Sequence, residues 1–181
     1  MKKIILGVSG ALSAGVIPAY LLLMKAKYKH AHFEVIQTTN AQYFLSPGAI
    51  RHFPNVTLHT CFDNLKNQAK SHMNIVSDAD IFIVAPATAS FIAKSANGHT
   101  DDLLSLCFLA ASCEKIVMPA MNFNMYAAKP VQRNLKQLEM DGCHILGPRQ
   151  GISAQSGEIG EGAIEEPQKL IALIESIVGK L

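Results

Sequence analysis

Short runs of consecutive apolar residues, rather than alternating ones, punctuate this chain. The clearest are Lys3–Val8 (KIILGV), residues 32–39 (HFEVIQTT), residues 81–85 (IFIVA) and residues 115–118 (KIVM). A run that is apolar at successive positions buries both of its faces, the pattern of strands in a parallel sheet covered on two sides. Helix-compatible segments follow at about residues 14–26, 91–96 and 103–111, with amphipathic ones at 130–140 and 167–181. Residues 56–60 read as an edge strand and residues 143–146 as the last strand. Pro86 and Pro119 have no N–H to give a ladder, so each marks a point where strand becomes loop. Asn97-Gly98 is a helix stop, and Asp101-Asp102 places acids at the start of the next helix. This alternation predicts one α/β domain over residues 1–181. Its architecture is a Rossmann-like (flavodoxin-like) parallel sheet with helices on both faces.

Ligands of such sheets bind in the crevice beyond the C-terminal ends of the strands. Three strand ends here open into small and hydroxyl residues: 9–13 (SGALS), 86–90 (PATAS) and 119–122 (PAMN). One such edge is unremarkable; three gathered on one rim point to a nucleotide-like ligand. The first offers free N–H groups to a phosphate, and a tight turn with no ligand accounts for it equally well. It is neither a GxGxxG nor a Walker sequence, so no dinucleotide fingerprint is present and a mononucleotide phosphate is a permissible ligand. Two threonines and Asn40 close the second run and are suited to capping a short helix. In residues 115–126 (KIVMPAMNFNMY), Asn122 leaves its strand where a substrate would lie. The plainer alternative is an ordinary strand-to-helix connection with Met121 and Met125 filling gaps. His72 stands alone on a polar stretch and matters only if the fold carries it to the crevice. Residues 147–162 (GPRQGISAQSGEIGEG) hold five glycines and one proline, as expected of a substrate lid or a disordered loop.

Composition narrows the classes. Hydrophobic residues make up 49% and charged residues 17% of the 181, more apolar than a small monomer needs, which points to burial between subunits. A formal charge of +2, scattered along the chain, argues against nucleic acid or an acidic membrane surface as partner. No stretch reaches the roughly 18 apolar residues of a transmembrane helix, and the Lys-led N-terminus reads as a buried strand rather than a secretory leader. Cys61, Cys107, Cys113 and Cys143 show no metal-type spacing, so no metal is expected. They read as reduced thiols of a cytoplasmic protein.

With those residues in view, the chain resembles the flavin-containing cysteine decarboxylases. That family includes phosphopantothenoylcysteine decarboxylase and the peptidyl-cysteine decarboxylases of lanthipeptide biosynthesis. Residues 119–126 (PAMNFNMY) match the family's PxMNxxMW, with Tyr126 for Trp. Residues 86–91 (PATASF) stand where the family has PASANT, with Ser90 for Asn and Phe91 for Thr. His72 matches the family's active-site histidine, Gly7-Val8-Ser9-Gly10 its FMN phosphate turn, and Ala96-Asn97-Gly98 with Asp101 and Leu103-Leu104 its ANGxxDNLL. The resemblance implies FMN contacts from Ser9, Gly10, Ala11, Thr39 and Phe44. It implies further contacts from Pro86, Ala87, Thr88, Ala89, Ser90 and Ala120. By the same resemblance His72 is the base for the substrate thiol, Asn122 holds the substrate carboxylate, and Met125 and Ser156 touch substrate. It also implies a homo-oligomer built on trimers and extending to a dodecamer.

One position separates the branches. Coenzyme A-pathway enzymes carry a Cys in an ACGD-like segment, whose proton allows the enethiolate to be reduced. Here the segment has Ser156, a far weaker acid. The resemblance therefore implies oxidative decarboxylation of a cysteine-terminated precursor peptide, stopping at the enethiol. The coenzyme A-pathway decarboxylase is the runner-up, favoured by GEIGEGAIEEP. A flavin prenyltransferase is disfavoured by residues 119–125 (PAMNFNM) and His72, and a non-catalytic flavoprotein subunit is the reading from another class.

Overall fold

Six parallel strands run through the middle of the molecule: β1 (Lys3–Val8), β2 (His32–Gln37), β3 (Val56–His59), β4 (Ile81–Ala87), β5 (Glu114–Pro119) and β6 (His144–Ile145). The computed structural model describes residues 1–61, 71–154 and 156–178. The strand order is β3-β2-β1-β4-β5-β6, that of a doubly wound sheet whose direction of winding reverses between β1 and β4. Around the sheet lie α1 (Ile17–Lys27), α2 (Pro47–Arg51), α3 (His72–Val76), α4 (Ala89–Ala96), α5 (Leu103–Ala110), α6 (Phe123–Ala127), α7 (Lys129–Met140) and α8 (Pro167–Val178). Among the described residues, no helix is long and apolar enough to cross a membrane.

Alternate residues of each strand serve opposite cores, because successive side chains leave a strand on opposite faces. Ile4, Leu6, Phe33, Val35, Ile81, Ile83, Ile116 and Met118 face α1 and α8, where Leu21, Met24, Leu170 and Ile174 close the layer. Ile5, Ile36, Phe82, Val84 and Val117 face the other helices, meeting Phe91, Leu104, Phe108 and Leu135. Phe82 and Phe91 both meet the Phe108 ring edge to face, at 5.4 Å and 5.2 Å. Each fully buried side chain of this kind stabilises the fold by about 1.5–3 kcal/mol, so the two cores together hold the sheet between its helices.

Three details depart from the sequence reading. β4 does not stop at Pro86; it continues to Ala87, with a register shift between Val84 and Ala87 where the ladder tolerates a residue lacking N–H. The short helix after β2 is a 3₁₀ turn, Thr39–Tyr43, capped by Thr38, whose hydroxyl accepts the Ala41 N–H. The largest difference is in residues 147–162, where two strands stand in place of a continuous loop. They form an antiparallel hairpin of β7 (Arg149–Ile152) and β8 (Ile159–Ala163), so β6 is not the last strand. The glycines that suggested looseness let this hairpin lie close to its neighbours. Part of the polar stretch ahead of β4, residues 67–70, lies outside the described residues.

One buried acid crosses the β2–β3 edge. Glu34 is 9% exposed, and the His59 Nε2–H donates to its carboxylate at 2.7 Å. Burial alone raises the Glu34 pKa, but the hydrogen bond and charge of His59, with His32 and Lys3, hold it below the ordinary value of 4.5. A depressed carboxyl stabilises the fold fully above its unfolded pKa, and that contribution fades as pH falls through the folded one. Glu34→Gln should therefore cost about 1–3 kcal/mol near neutral pH. The gap between wild type and variant in urea melts should narrow below pH 4.5. A gap that stays constant with pH contradicts this account.

Candidate functional site

The C-terminal ends of β1 and β4 meet at the reversal point, and Ser9 joins them. Its hydroxyl donates to the Pro86 carbonyl at 2.8 Å and accepts the Thr88 N–H at 2.9 Å, while its own N–H also reaches the Pro86 carbonyl. Thr88 in turn caps α4, its hydroxyl accepting the Phe91 N–H. The loop after β1 then runs against the loop after β2. A Cβ on Gly10 would lie 2.6 Å from Asn40 Cβ and 2.9 Å from its carbonyl carbon, so only glycine lets the two loops touch. Past that contact the Ala11 N–H is taken by the Ser9 carbonyl. No backbone acceptor among the described residues takes the N–H of Gly10, Leu12 or Ser13.

These loops form one wall of a cavity of about 1040 Å³. The opposite wall is the segment after β5 together with the hairpin. Of the sequence candidates, Ser9, Gly10, Ala11, Phe44, Thr88, Ala89, Ser90, Ala120, Asn122 and Met125 line it. Pro86 and Ala87 do not; they form the strand behind it and contribute through carbonyls that accept from Ser9 and Ala120. Thr39 lies beside a separate pocket of about 170 Å³, and the adjacent Thr38 takes its place on the main wall. The pair of threonines pointed to this corner, and capping geometry decides which one faces inward. Ser156 sits in the turn of the hairpin, its hydroxyl accepting the Glu158 N–H at 3.4 Å, near but not on the lining. His72 opens α3 and is not on this wall, so a single chain does not bring it to Asn122.

Asn122 is oriented by its own helix. It is the N-cap of α6, and its side-chain carbonyl accepts the Asn124 N–H at 2.9 Å. That bond fixes which end of the amide is engaged and leaves the NH₂ as the end offered to the cavity. The hairpin lies on the same segment through backbone alone. Met121 N–H donates to the Gly162 carbonyl at 3.0 Å, and a Cβ on Gly162 or Gly160 would stand 2.1 Å from the Met121 oxygen or 2.7 Å from the Phe123 ring.

Charge on the walls is sparse: Lys94, Asp102, Arg149 and Glu166 among the described residues. Lys94 reaches Asp101 at 2.8 Å and Asp102 at 3.0 Å. The hydrogen bond Lys94 donates to Asp101, outweighing partial burial, raises its pKa. Burial raises the Tyr20 hydroxyl pKa, and that hydroxyl donates to the Glu165 carbonyl. Arg149 donates to the Ile164 and Gln150 carbonyls, both at 3.1 Å. Sequence reading missed Lys94, Arg149 and Tyr20 because none of them stands at the C-terminal end of a strand of the main sheet. Among the described residues no cysteine lines the cavity. Burial pushes the Cys107 thiol up to about 12 and raises Cys113 and Cys143 as well. Among the described residues no cluster of His, Cys, Asp or Glu is placed to hold a metal ion.

A crevice of this shape, at the reversal point of a doubly wound sheet, defines a nucleotide-binding α/β protein. Residues 1–179 match the Flavoprotein family model, and the chain belongs to that family. It is 37% identical over 177 residues to the coenzyme A biosynthesis bifunctional protein CoaBC of Bacillus subtilis, covering 96% of this chain and 42% of that protein. The chain thus spans less than half the length of the curated relatives it matches. Among solved structures, a PPC decarboxylase mutant complexed with pantothenoylaminoethenethiol superposes with a TM-score of 0.86 at 25% identity, covering 97% of each chain. The FMN-dependent cysteine decarboxylase SpaF gives 0.83 at 27%, covering 99% of this chain and 97% of that one.

The residues fit a flavin mononucleotide. The cavity is large enough for the ring system beside a small substrate. The Gly10–Asn40 contact builds an uncharged cradle of N–H and hydroxyl groups such as phosphates occupy. Gly162→Ala tests how the opposite wall is held. It should lift the hairpin from Met121 and raise its cleavage rate in limited proteolysis several-fold, with cuts confined to residues 147–163. A cleavage pattern identical to wild type rules out the close-packed hairpin.

Proposed function

We propose that this chain is an FMN-dependent peptidyl-cysteine decarboxylase that converts the C-terminal cysteine of a precursor peptide to an aminoenethiol. The observation that carries this reading is a single cavity with the Gly10–Ser13 cradle on one wall and the Asn122 amide on the other, with no thiol on its lining among the described residues. A cysteine carboxylate has no internal electron sink, and a bound flavin supplies one as a two-electron acceptor. Asn122 presents its NH₂ to the substrate carboxylate, a neutral donor that positions the group without opposing loss of CO₂ as strongly as a cation does. Met121, Phe123 and Met125 give that end of the cavity an apolar lining. His72 takes the proton of the substrate thiol, a task suited to an imidazole near neutral pH. Because His72 is not on its own chain's cavity wall, it serves the cavity of a second chain. The working unit is then a homo-oligomer built on trimers, which also accounts for the apolar composition.

Ser156 sets the end of the reaction. A serine hydroxyl is too weak an acid to protonate an enethiolate, so the product stays unsaturated. One solved relative, a cysteine-to-serine mutant of PPC decarboxylase, is complexed with pantothenoylaminoethenethiol, so an enethiol and a serine occur together in that protein. The second reading is a phosphopantothenoylcysteine decarboxylase, favoured by the 37% identity to CoaBC.

Product masses separate the two. Cysteine-terminated peptides should lose CO₂ and two hydrogens. A product that has lost CO₂ alone, from phosphopantothenoylcysteine only, establishes the second reading instead. The shared-site arrangement has its own test. His72→Asn and Asn122→Asp should each abolish turnover, the latter because it sets a carboxylate against the substrate's own. If His72 serves a partner's cavity, subunits of the two variants mixed and allowed to exchange should recover part of the wild-type rate. No recovery in mixed oligomers contradicts a site shared between chains.

A further inference from the structure

The helix that carries His72 is held from its far end. α3 is five residues long, well short of the roughly 12–15 at which an isolated helix becomes even marginally stable. No side chain among the described residues caps it at Ser71. Ile75 and Val76 bury one side of it in the core that contains Phe82 and Leu104. The polar grip comes from the first residue of β1. Lys3 Nζ donates to the carbonyls of Asn74 and Ser77, both at 2.9 Å. These lie at the C-terminal end of the helix, where the last carbonyls lack helical partners and a cation is favoured. The chain that follows is fastened to the same residue. The Asp80 carboxylate accepts the Lys3 N–H at 2.8 Å, and the Asp80 N–H donates to the Lys3 carbonyl at 2.9 Å. Lys3 itself is not on the cavity lining.

Resting on the reading of His72 as a base that serves a partner's cavity, we propose that Lys3 is a positioning residue for that reaction. By gripping the last turn of α3 it sets where His72 stands. The effect is then peculiar to a shared site. A defect at Lys3 belongs to the chain that donates His72, although Lys3 starts the very strand whose other end builds its own chain's cavity.

Lys3→Met and Lys3→Gln should each lower kcat about ten- to a hundredfold, the scale of loss when a reacting group is misplaced by about 1 Å. KM and FMN affinity should stay near those of wild type. Lys3→Arg, which keeps a charged donor, should recover part of the loss. Subunit exchange then locates the defect. Mixed with Asn122→Asp subunits, Lys3→Met subunits should regain part of the wild-type rate, because well-placed His72 then meets intact Asn122. Mixed with His72→Asn subunits they should gain nothing beyond their own contribution, because both variants damage the same half of the site. A wild-type kcat in both variants, a loss of FMN affinity that parallels the loss of kcat, or recovery with His72→Asn overturns the inference while the shared site stands. Failure of both variants to fold also overturns it, since Lys3 is then a structural residue. No recovery between His72→Asn and Asn122→Asp removes the shared site and the inference together.

Discussion

Strands β1 and β4 lie side by side, yet the chain leaves them in opposite directions around the sheet, and the Ser9 hydroxyl is what holds their open ends together. It bridges the Pro86 carbonyl and the Thr88 N–H beside the point where Pro86, lacking an N–H, interrupts the pairing. Each consequence follows from that bridge. Thr88 is set to cap α4, Ala87 is free to accept from Ala120, and the three strand ends come to one level. Without a common level the crevice would be a set of separate notches. Since the hydroxyl is already committed, Ser9 supports the cavity from behind, and the open N–H groups fall to Gly10, Leu12 and Ser13.

Glycine does the complementary work of letting backbones approach. Gly10 against Asn40 closes one wall, and Gly160 and Gly162 against Phe123 and Met121 close the other. At each contact a methyl group would stand inside another atom's radius. At each of these points a glycine meets its neighbour directly, and side chains such as Phe44, Thr88 and Asn122 complete the lining. Asn122 is the best defined, because its N-cap role turns the amide before any ligand arrives.

Much of this was legible in the order of residues. Uninterrupted apolar runs at residues 3–8, 81–85 and 115–118 identified the central strands, since burial on both faces leaves no other pattern. The three small-residue edges located the crevice, and ten of the candidate residues line it. Three things were not legible, each for a physical reason. Glycine content reads as freedom when it is counted along a chain, whereas in the hairpin it marks close contact, which appears only once Met121 and Phe123 are in place. Thr38 and Thr39 are chemically equivalent until capping geometry chooses between them. His72 matches a motif, but a motif does not show that the fold keeps this residue off its own chain's cavity lining.

The central claim is that a flavin lies across the reversal point, with its phosphate end at the loops after β1 and β2. Hydrogen–deuterium exchange of the full chain, with and without saturating FMN, tests this without reference to turnover. Slowed exchange should be concentrated at residues 9–13, 38–40, 88–90 and 120–123. Protection confined to other segments, or none at those four, contradicts the account.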